Sequence, residues 1–385
     1  MIIDSKNWNH YSPTEIQFGE GIRVQLPKLI NNSKTLIVTS KRGRKQLCND
    51  PLLADLAMKD SISWIDDISS NPGLEYLQNW ISKLNNKIFD VIIGFGGGSA
   101  IDAAKIMSAV MAQSINERNL SLMISNPEKY LVKEILPFYA IPTTSGTGSE
   151  VTPFATVWDY AQKSKKSLAG LSLFPKTAII DPELTYGLSF EVTMSTGLDA
   201  LNQAFESVWN KKCNPFTALL ASRSISLSMK ALPRLSDDLN DFEARAMMSE
   251  ASFLAGLCIS QTRTAICHSV GYPLTAHFDV PHGYASAFLM NSVARLVLKT
   301  FPDYLKVVSE NTGFASPKAM LDKLEEVIKC SSLDNAILSK VSSLEELLKL
   351  TDEMFTPGRA DNFIVDINDE ILKELLKNSL NMLQE

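Results

Sequence analysis

Three apolar runs in the first half of the chain, Thr35–Thr39, Val91–Gly94 and Tyr139–Ile141, each end in a turn rich in glycine, serine or threonine, and helical patterns separate them. Runs of this kind specify β-α units and a parallel sheet, because parallel neighbours need a crossover long enough to hold a helix. After Asp181-Pro182 the texture changes. Asn202–Trp209, Phe216–Lys230 and Phe242–Leu257 carry apolar residues at amphipathic-helix spacing, and mostly Leu/Lys/Glu helices follow from Pro317 onward. A chain of 385 residues can support two cores. The expectation is an α/β nucleotide-binding domain with a parallel sheet over residues 1–181 and an all-α domain over 182–385, with no low-complexity linker between them.

Asp90-Val-Ile-Ile-Gly-Phe-Gly-Gly-Gly-Ser99, followed by Ala100-Ile-Asp102-Ala-Ala-Lys105, reads as a buried strand, a glycine turn and a helix N-terminus. Gly96, Gly97 and Gly98 let the backbone approach a diphosphate, and the first N–H groups of the helix, near Ser99 and Asp102, receive its charge. The spacing is neither G-x-G-x-x-G nor a Walker loop, so a plain tight βα turn fits it equally well. A second loop, Pro142-Thr143-Thr144-Ser-Gly-Thr147-Gly-Ser149-Glu150, follows another apolar run and offers hydroxyls and amides with little bulk. Two such loops on neighbouring parallel strands face one crevice, where open α/β sheets bind ligands.

The second half holds a different chemistry. In Gly197-Leu-Asp199-Ala-Leu-Asn-Gln203-Ala204, Asp199 and Gln203 sit four apart and share one helix face. The chain has only four histidines, His10, His268, His277 and His282, and the last three fall within fifteen residues. A carboxylate with two imidazoles suits Fe²⁺ or Zn²⁺. The competing reading makes Asp199 a helix cap and the histidines ordinary core or surface groups. A net charge of −6 and the lack of any dense Lys/Arg tract argue against nucleic acid as a partner. No run approaches the ~20 apolar residues of a membrane span, the start of the chain lacks the regions of a signal peptide, and five cysteines without a C-x-x-C pair fit a reducing cytoplasm.

Taken in order, Phe18-Gly-Glu-Gly21, Asn71-Pro72, Gly96-Gly-Gly-Ser99 with Asp102, Pro142-Thr-Thr144 through Glu150, Asp181-Pro182, Gly197-Leu-Asp199-Ala200 and the pair His268 and His282 resemble the iron-containing alcohol dehydrogenase family. The resemblance spans nearly the whole chain. It implies a dehydroquinate synthase-like fold, a divalent metal between the two domains, reversible hydride transfer between NAD(P) and a primary alcohol or aldehyde, and a homodimer or larger assembly. It makes Asp199, His268 and His282 metal ligands. Gln203 stands where the family carries a fourth ligand, a histidine, and Tyr272 where many relatives carry another histidine near the nicotinamide. An amide oxygen is a weaker donor than imidazole, which leaves the choice between Fe²⁺ and Zn²⁺ open.

The residues around Trp158, Glu206–Asn210, Ser260–Thr264 and His268–His277 look most like the phosphonoacetaldehyde reductase branch. That branch implies a small anionic aldehyde as substrate, held by Arg263 with help from Thr264 or His277, whereas a structural ion pair would also explain Arg263. Tyr272 could hydrogen-bond the substrate or relay a proton. In NAD-preferring relatives a carboxylate follows the second strand. Here Ser40 stands there, followed by Lys41, Arg42 and Arg44, which favours NADP(H) over NAD(H). Lys165 or Lys166 matches a family lysine near the cofactor. Dehydroquinate synthase, glycerol or glycerol-phosphate dehydrogenases and a non-catalytic nucleotide-binding remnant are the rival readings.

Overall fold

The computed structural model describes residues 7–131, 135–162 and 164–384. It divides into two compact units. The first comprises Ser12–Thr144 and Ser149–Thr185, and the second comprises the described residues up to Tyr11, the segment Ser145–Gly148 and the described residues from Tyr186 onward.

In the first unit, β1 (Glu15–Phe18), β2 (Thr35–Thr39), β3 (Ile62–Ile65), β4 (Val91–Gly96), β5 (Phe138–Pro142) and β8 (Thr177–Ile180) form an all-parallel sheet in the order β1-β8-β5-β4-β2-β3. Every residue of β2, β4, β5 and β8 is buried, as a sheet covered on both faces requires. Successive side chains point to opposite faces, so Leu36, Val38 and Ile92 pack into one core while Ile37, Ile93 and Phe95 pack into another. Sheet building reverses between β2 and β4: β3 lies on one side of β2, and β4, β5 and β8 lie on the other. Their carboxyl ends therefore flank a topological switch point. The simple βα alternation read from the sequence did not include β6 (Phe154–Asp159) and β7 (Ser164–Ala169), an antiparallel pair forming a separate two-stranded sheet.

Arg23 ties the edge of this unit together. Its Nε lies 2.7 Å from Asp50, and its Nη1 lies 2.8 Å from Asp181 and 2.5 Å from Glu183. Burial opposes the charge, but the bonds to Asp181, Glu183 and Asp50 outweigh it and hold the guanidinium above its ordinary value. The Asp181-Pro182 motif is in this way a structural anchor for β8.

The second unit is helical. Phe190–Val208, Pro215–Asp237 and Phe242–Thr262 pack as three long helices, longer than the segments read from the sequence, and Ile266–Phe278 and His282–Ala287 pack beside them. Gly283 allows one close approach: a Cβ there would lie 1.9 Å from the carbonyl oxygen of Ser195, so only glycine lets the turn bearing His282 sit against the helix Phe190–Val208. All five cysteines are free, and among the described residues no helix is long and apolar enough to cross a membrane.

Removing one partner from a buried charge network leaves the others uncompensated. Arg23→Leu should lower unfolding stability by about 3–5 kcal/mol in a urea titration. A loss no larger than that of a surface Arg→Leu control would show that the cluster does not anchor the sheet edge.

Candidate active site and metal centre

In the α/β unit the backbone leaves β4 at Gly96 with φ 152, and a Cβ there would lie 2.8 Å from that of Ala100. Gly97 caps the helix Gly98–Met111 with extended backbone, so the amides of Gly98 and Ser99 begin the helix at the end of the sheet. β5 runs alongside with Pro142 opposite Gly96, and the Thr143 amide donates to the Gly96 carbonyl at 3.0 Å. The Thr144 hydroxyl oxygen lies 3.2 Å from where a Cβ on Gly97 would stand. The two loops make one continuous floor with little side-chain bulk, a shape that admits a dinucleotide diphosphate.

Several polar side chains assigned to the cofactor hold these loops in place. The Ser99 hydroxyl accepts from the Asn71 amide at 3.1 Å. Asp102 accepts from the Ser149 hydroxyl and from the Thr156 amide at 2.8 Å, while buried Lys105 donates to Ser149 and Thr152 at 3.0 Å each. Thr147 lies in Ser145–Gly148, the part of the second loop that belongs with the helical unit. Lys165 stands on β7 opposite Trp158, and Lys166 pairs with Asp159 at 3.6 Å.

At the end of β2, the Ser40 hydroxyl accepts from the Gly43 amide and caps the helix Lys41–Asn49, whose first residue, Lys41, is exposed. Arg44 is exposed but already paired. It pairs with Asp66 and stands over the Trp64 ring, 4.9 Å from its centroid. Val38 lies opposite Ile65 in the β2–β3 register, so Ser40 and the Asp66-Asp67 pair leave the sheet side by side. The inference that no carboxylate stands near this turn fails, because the neighbouring strand supplies one.

In the helical unit, the helix Phe190–Val208 is capped by the Ser189 hydroxyl, so Asp199 is a mid-helix residue and not a cap. Asp199, Gln203 and Glu206 recur at helical spacing and are all buried. Glu206 organises what faces them. Its Oε1 accepts the Cys267 amide at 2.6 Å and the His268 amide at 3.2 Å, at the start of the helix Ile266–Phe278, and its Oε2 lies 2.6 Å from His268 Nδ1. A carboxylate can only accept, so Nδ1 carries the proton and Nε2 is turned to Asp199, 3.2 Å away.

Ligand atoms of Asp199, His268 and His282 all lie within 4.8 Å of one another. The ring of His282 is 5.5 Å from that of His268 and stacks at 6.0 Å on Tyr272. Gln203 donates its Nε2 proton to Asp199 at 3.0 Å, and its buried Oε1 has no hydrogen-bond partner. A buried acceptor left unsatisfied beside a carboxylate and two imidazoles is the donor set of a borderline divalent cation. The residues therefore fit the metal. Burial opposes charge on His268, but Glu206 and Asp199 outweigh it and push the ring up to about 10, so a metal entering here competes with a proton.

The other predicted residues divide. Tyr272, one helical turn beyond His268, joins the cluster, with its ring 6.4 Å from that of His268. Arg263 follows the helix Phe242–Thr262 at φ 63, half-buried. Burial, and then the like charge of Arg359, draw it down to about 10. His277 is exposed on the last turn of its helix and pairs with Glu353 at 2.8 Å, away from the three clustered ligands. His10 packs edge-on against Phe216. Closeness to His268 and His282 in sequence thus misplaced His277. Sequence reasoning also gave Glu206 no role, although it recurs seven residues after Asp199 on the same face, and did not reach Arg359.

Two family profiles match the chain: iron-containing alcohol dehydrogenase over residues 13–182, and the C-terminal part of the Fe-containing alcohol dehydrogenase family over residues 193–352. The chain belongs to the iron-containing alcohol dehydrogenase family. This family uses NAD(P) and a divalent metal to interconvert alcohols and aldehydes. The chain is similar to the 1-propanol dehydrogenase PduQ of Citrobacter freundii, at 33% identity over 73% of this chain and 71% of that one. It is also similar to the phosphonoacetaldehyde reductase of Streptomyces viridochromogenes, at 33% identity over 54% of this chain and 53% of that one. The match to the probable alcohol dehydrogenase EutG of Escherichia coli strain K12, at 36% identity, spans 55% of this chain and 53% of that protein, about half of each. Among solved structures, the sulfoacetaldehyde reductase of Bifidobacterium kashiwanohense in complex with NAD⁺ superposes with a TM-score of 0.85 at 26% identity, over 98% of this chain and 99% of that one.

An outer-sphere carboxylate that orients a metal-binding histidine is worth about 10–100-fold in metal affinity. Glu206→Gln should weaken Zn²⁺ or Fe²⁺ binding by that factor in a chelator competition. Unchanged affinity would show that His268 does not need Glu206 to present Nε2.

Proposed function

We propose that this protein is a cytoplasmic reductase that uses NAD(P)H and a divalent metal to convert a small aldehyde carrying a tetrahedral oxyanion into the primary alcohol, with phosphonoacetaldehyde giving 2-hydroxyethylphosphonate as the first candidate. The observation that supports the substrate class is Arg263, a half-buried guanidinium on the turn that joins the helix Phe242–Thr262 to the helix Ile266–Phe278 bearing His268 and Tyr272. A desolvated guanidinium is costly unless it meets an anion, and its planar fork suits an oxyanion. The free thiols fit a reducing compartment.

Asp199, Gln203, His268 and His282 are the residues that would hold the ion. When bound, it supplies Lewis acidity towards the carbonyl oxygen, while the nicotinamide supplies the hydride. The chain's own part is to orient and to exclude alternatives. Glu206 keeps the His268 proton on Nδ1, so Nε2 stays available as a donor. Arg263 fixes the anionic end of the substrate, which sets how far the aldehyde carbon can reach, and the Tyr272 hydroxyl stands beside the same groups as a hydrogen-bond donor or a relay to water. Gly96–Ser99 and Thr143–Thr144 form the floor for the cofactor diphosphate. NADPH is the favoured donor on account of Lys41 and Arg42. The margin is limited, because Asp66 already occupies Arg44 and stands near Ser40.

The sulfoacetaldehyde reductase that superposes over nearly the whole chain supports a second reading, with a sulfonate in place of the phosphonate. NAD(P)H oxidation against phosphonoacetaldehyde, sulfoacetaldehyde and propanal, with each cofactor, separates these readings. The expected result is a higher kcat/KM for an anionic aldehyde than for propanal, and a higher kcat/KM with NADPH than with NADH. Arg263→Ala should lose roughly 2–5 kcal/mol of transition-state binding on the anionic substrate and little on propanal. Equal losses on charged and neutral aldehydes would return Arg263 to a structural role. Turnover of none of the three by the metal-loaded enzyme would favour a nucleotide-binding remnant.

A further inference from the structure

Lys105, on the helix Gly98–Met111, is fully buried, and the chain surrounds its ammonium with oxygen. Its three protons meet three acceptors: the Ser149 and Thr152 hydroxyls at 3.0 Å each and the Phe154 carbonyl at 2.8 Å. Asp102, one turn earlier on the same helix, balances the charge at 3.7 Å. A buried cation is tolerated when it is paired and hydrogen-bonded, so the oxygens around it are held where they are. The directions of the bonds follow. Ser149 accepts from Lys105 and turns its proton to Asp102, while Thr152 accepts from Lys105 and donates to the Ser149 carbonyl at 3.2 Å. The other Asp102 oxygen accepts the Thr156 amide at 2.8 Å.

These bonds are one end of a longer brace. β6 is tied to the helix at Phe154 and Thr156. Farther along, the Trp158 amide donates to the Pro72 carbonyl at 3.1 Å, and the Tyr160 hydroxyl, just past the strand, donates to the Asn71 carbonyl at 2.7 Å. The Asn71 amide in turn donates to the Ser99 hydroxyl at 3.1 Å, on the first turn of the same helix. The β6–β7 pair thus grips the helix Gly98–Met111 both at its start and at Asp102 and Lys105. The two ends of the second loop are held differently. Thr143 leaves β5 with its amide on the Gly96 carbonyl, a backbone bond, whereas the returning segment Ser149–Val151 comes back against the side chains of Asp102 and Lys105.

A dinucleotide that crosses the switch point of an open α/β sheet places its adenosine half at the end of β2, its diphosphate at the helix after β4 and its nicotinamide half on the β5 side. The groups that Lys105 holds follow β5. We propose that Lys105 is a positioning residue for the nicotinamide half of the cofactor: by fixing Ser149, Thr152 and Phe154 to the helix that receives the diphosphate, it keeps the return of the second loop preformed for that half, and it leaves the adenosine half to other residues. The proposal rests on the reading of Gly96–Ser99 and Thr143–Thr144 as the cofactor floor and is independent of the substrate.

The test reads binding without turnover. NADH, NADPH and ADP, the last carrying only the adenosine half and the diphosphate, are titrated into the full-length protein as wild type, Lys105→Met, Thr152→Val and Thr152→Ser, with thermal melting to confirm folding. For whichever reduced cofactor binds the wild type more tightly, Lys105→Met should weaken binding by at least about tenfold, as the loss of hydrogen bonds to a charged group implies, and should leave ADP within about twofold of wild type. Thr152→Val, which removes one of the three acceptors, should lose about threefold on that cofactor, and Thr152→Ser, which keeps the hydroxyl, should match the wild type. The Thr152 pair carries the same comparison if Lys105→Met does not fold. Parallel losses on the cofactor and on ADP would make Lys105 a general support of the sheet and overturn the assignment, as would unchanged cofactor affinity in the folded Lys105→Met and Thr152→Val proteins. A wild type that binds none of the three nucleotides would overturn the cofactor floor itself, and the positioning role with it.

Discussion

Two carboxylates buried on one face of one helix, Asp199 and Glu206, set the terms for the helical unit. Burying an ionised carboxylate costs several kcal/mol unless cations or donors surround it. The chain meets that demand on the Glu206 side with two backbone amides at a helix start and the Nδ1 proton of His268. On the Asp199 side it places His268 Nε2, the Gln203 amide proton and the Ser286 hydroxyl, the last at 3.2 Å. What still fits there is a cation. The turn carrying His282, brought in against Ser195 by Gly283, and the unsatisfied Gln203 oxygen complete the set around that position.

The arrangement explains how one histidine position of the family can be a glutamine without dismantling the site. A histidine one turn after Asp199 would contribute a ring nitrogen. Gln203 donates an Nε2 proton to Asp199, which preorganises the carboxylate, and would offer its Oε1 to an ion. An oxygen-richer set is harder, and would shift the balance of metal preference.

The parallel sheet was legible because strands buried on both faces read as unbroken apolar runs, as in Thr35–Thr39 and Val91–Gly96. The antiparallel β6–β7 pair was not, since Ser164–Ala169 carries two lysines and only one of its residues is fully buried, leaving little pattern to read. The approach of Asp199, His268 and His282 to one another was legible because spacing and family motif agree. His277 misled for a physical reason: nine residues past His268, it comes out on the opposite side of the same helix and reaches Glu353. Arg44 was read as one of the cations favouring NADP(H), because its partner, Asp66, comes from the next strand and sequence spacing does not show the pair. Glu206 and Arg359 act through contacts 62 and 87 positions away, and periodicity carries no information at that range.

The account's central claim is that Asp199, Gln203, His268 and His282 together hold one divalent ion. Crystals of the metal-loaded protein, measured at the absorption edge of the bound metal, test it directly. The account predicts one anomalous peak per chain, within ligand distance of an Asp199 carboxylate oxygen, Gln203 Oε1, His268 Nε2 and a ring nitrogen of His282. A peak elsewhere, or a peak at this position with Gln203 Oε1 turned away from it, would contradict it.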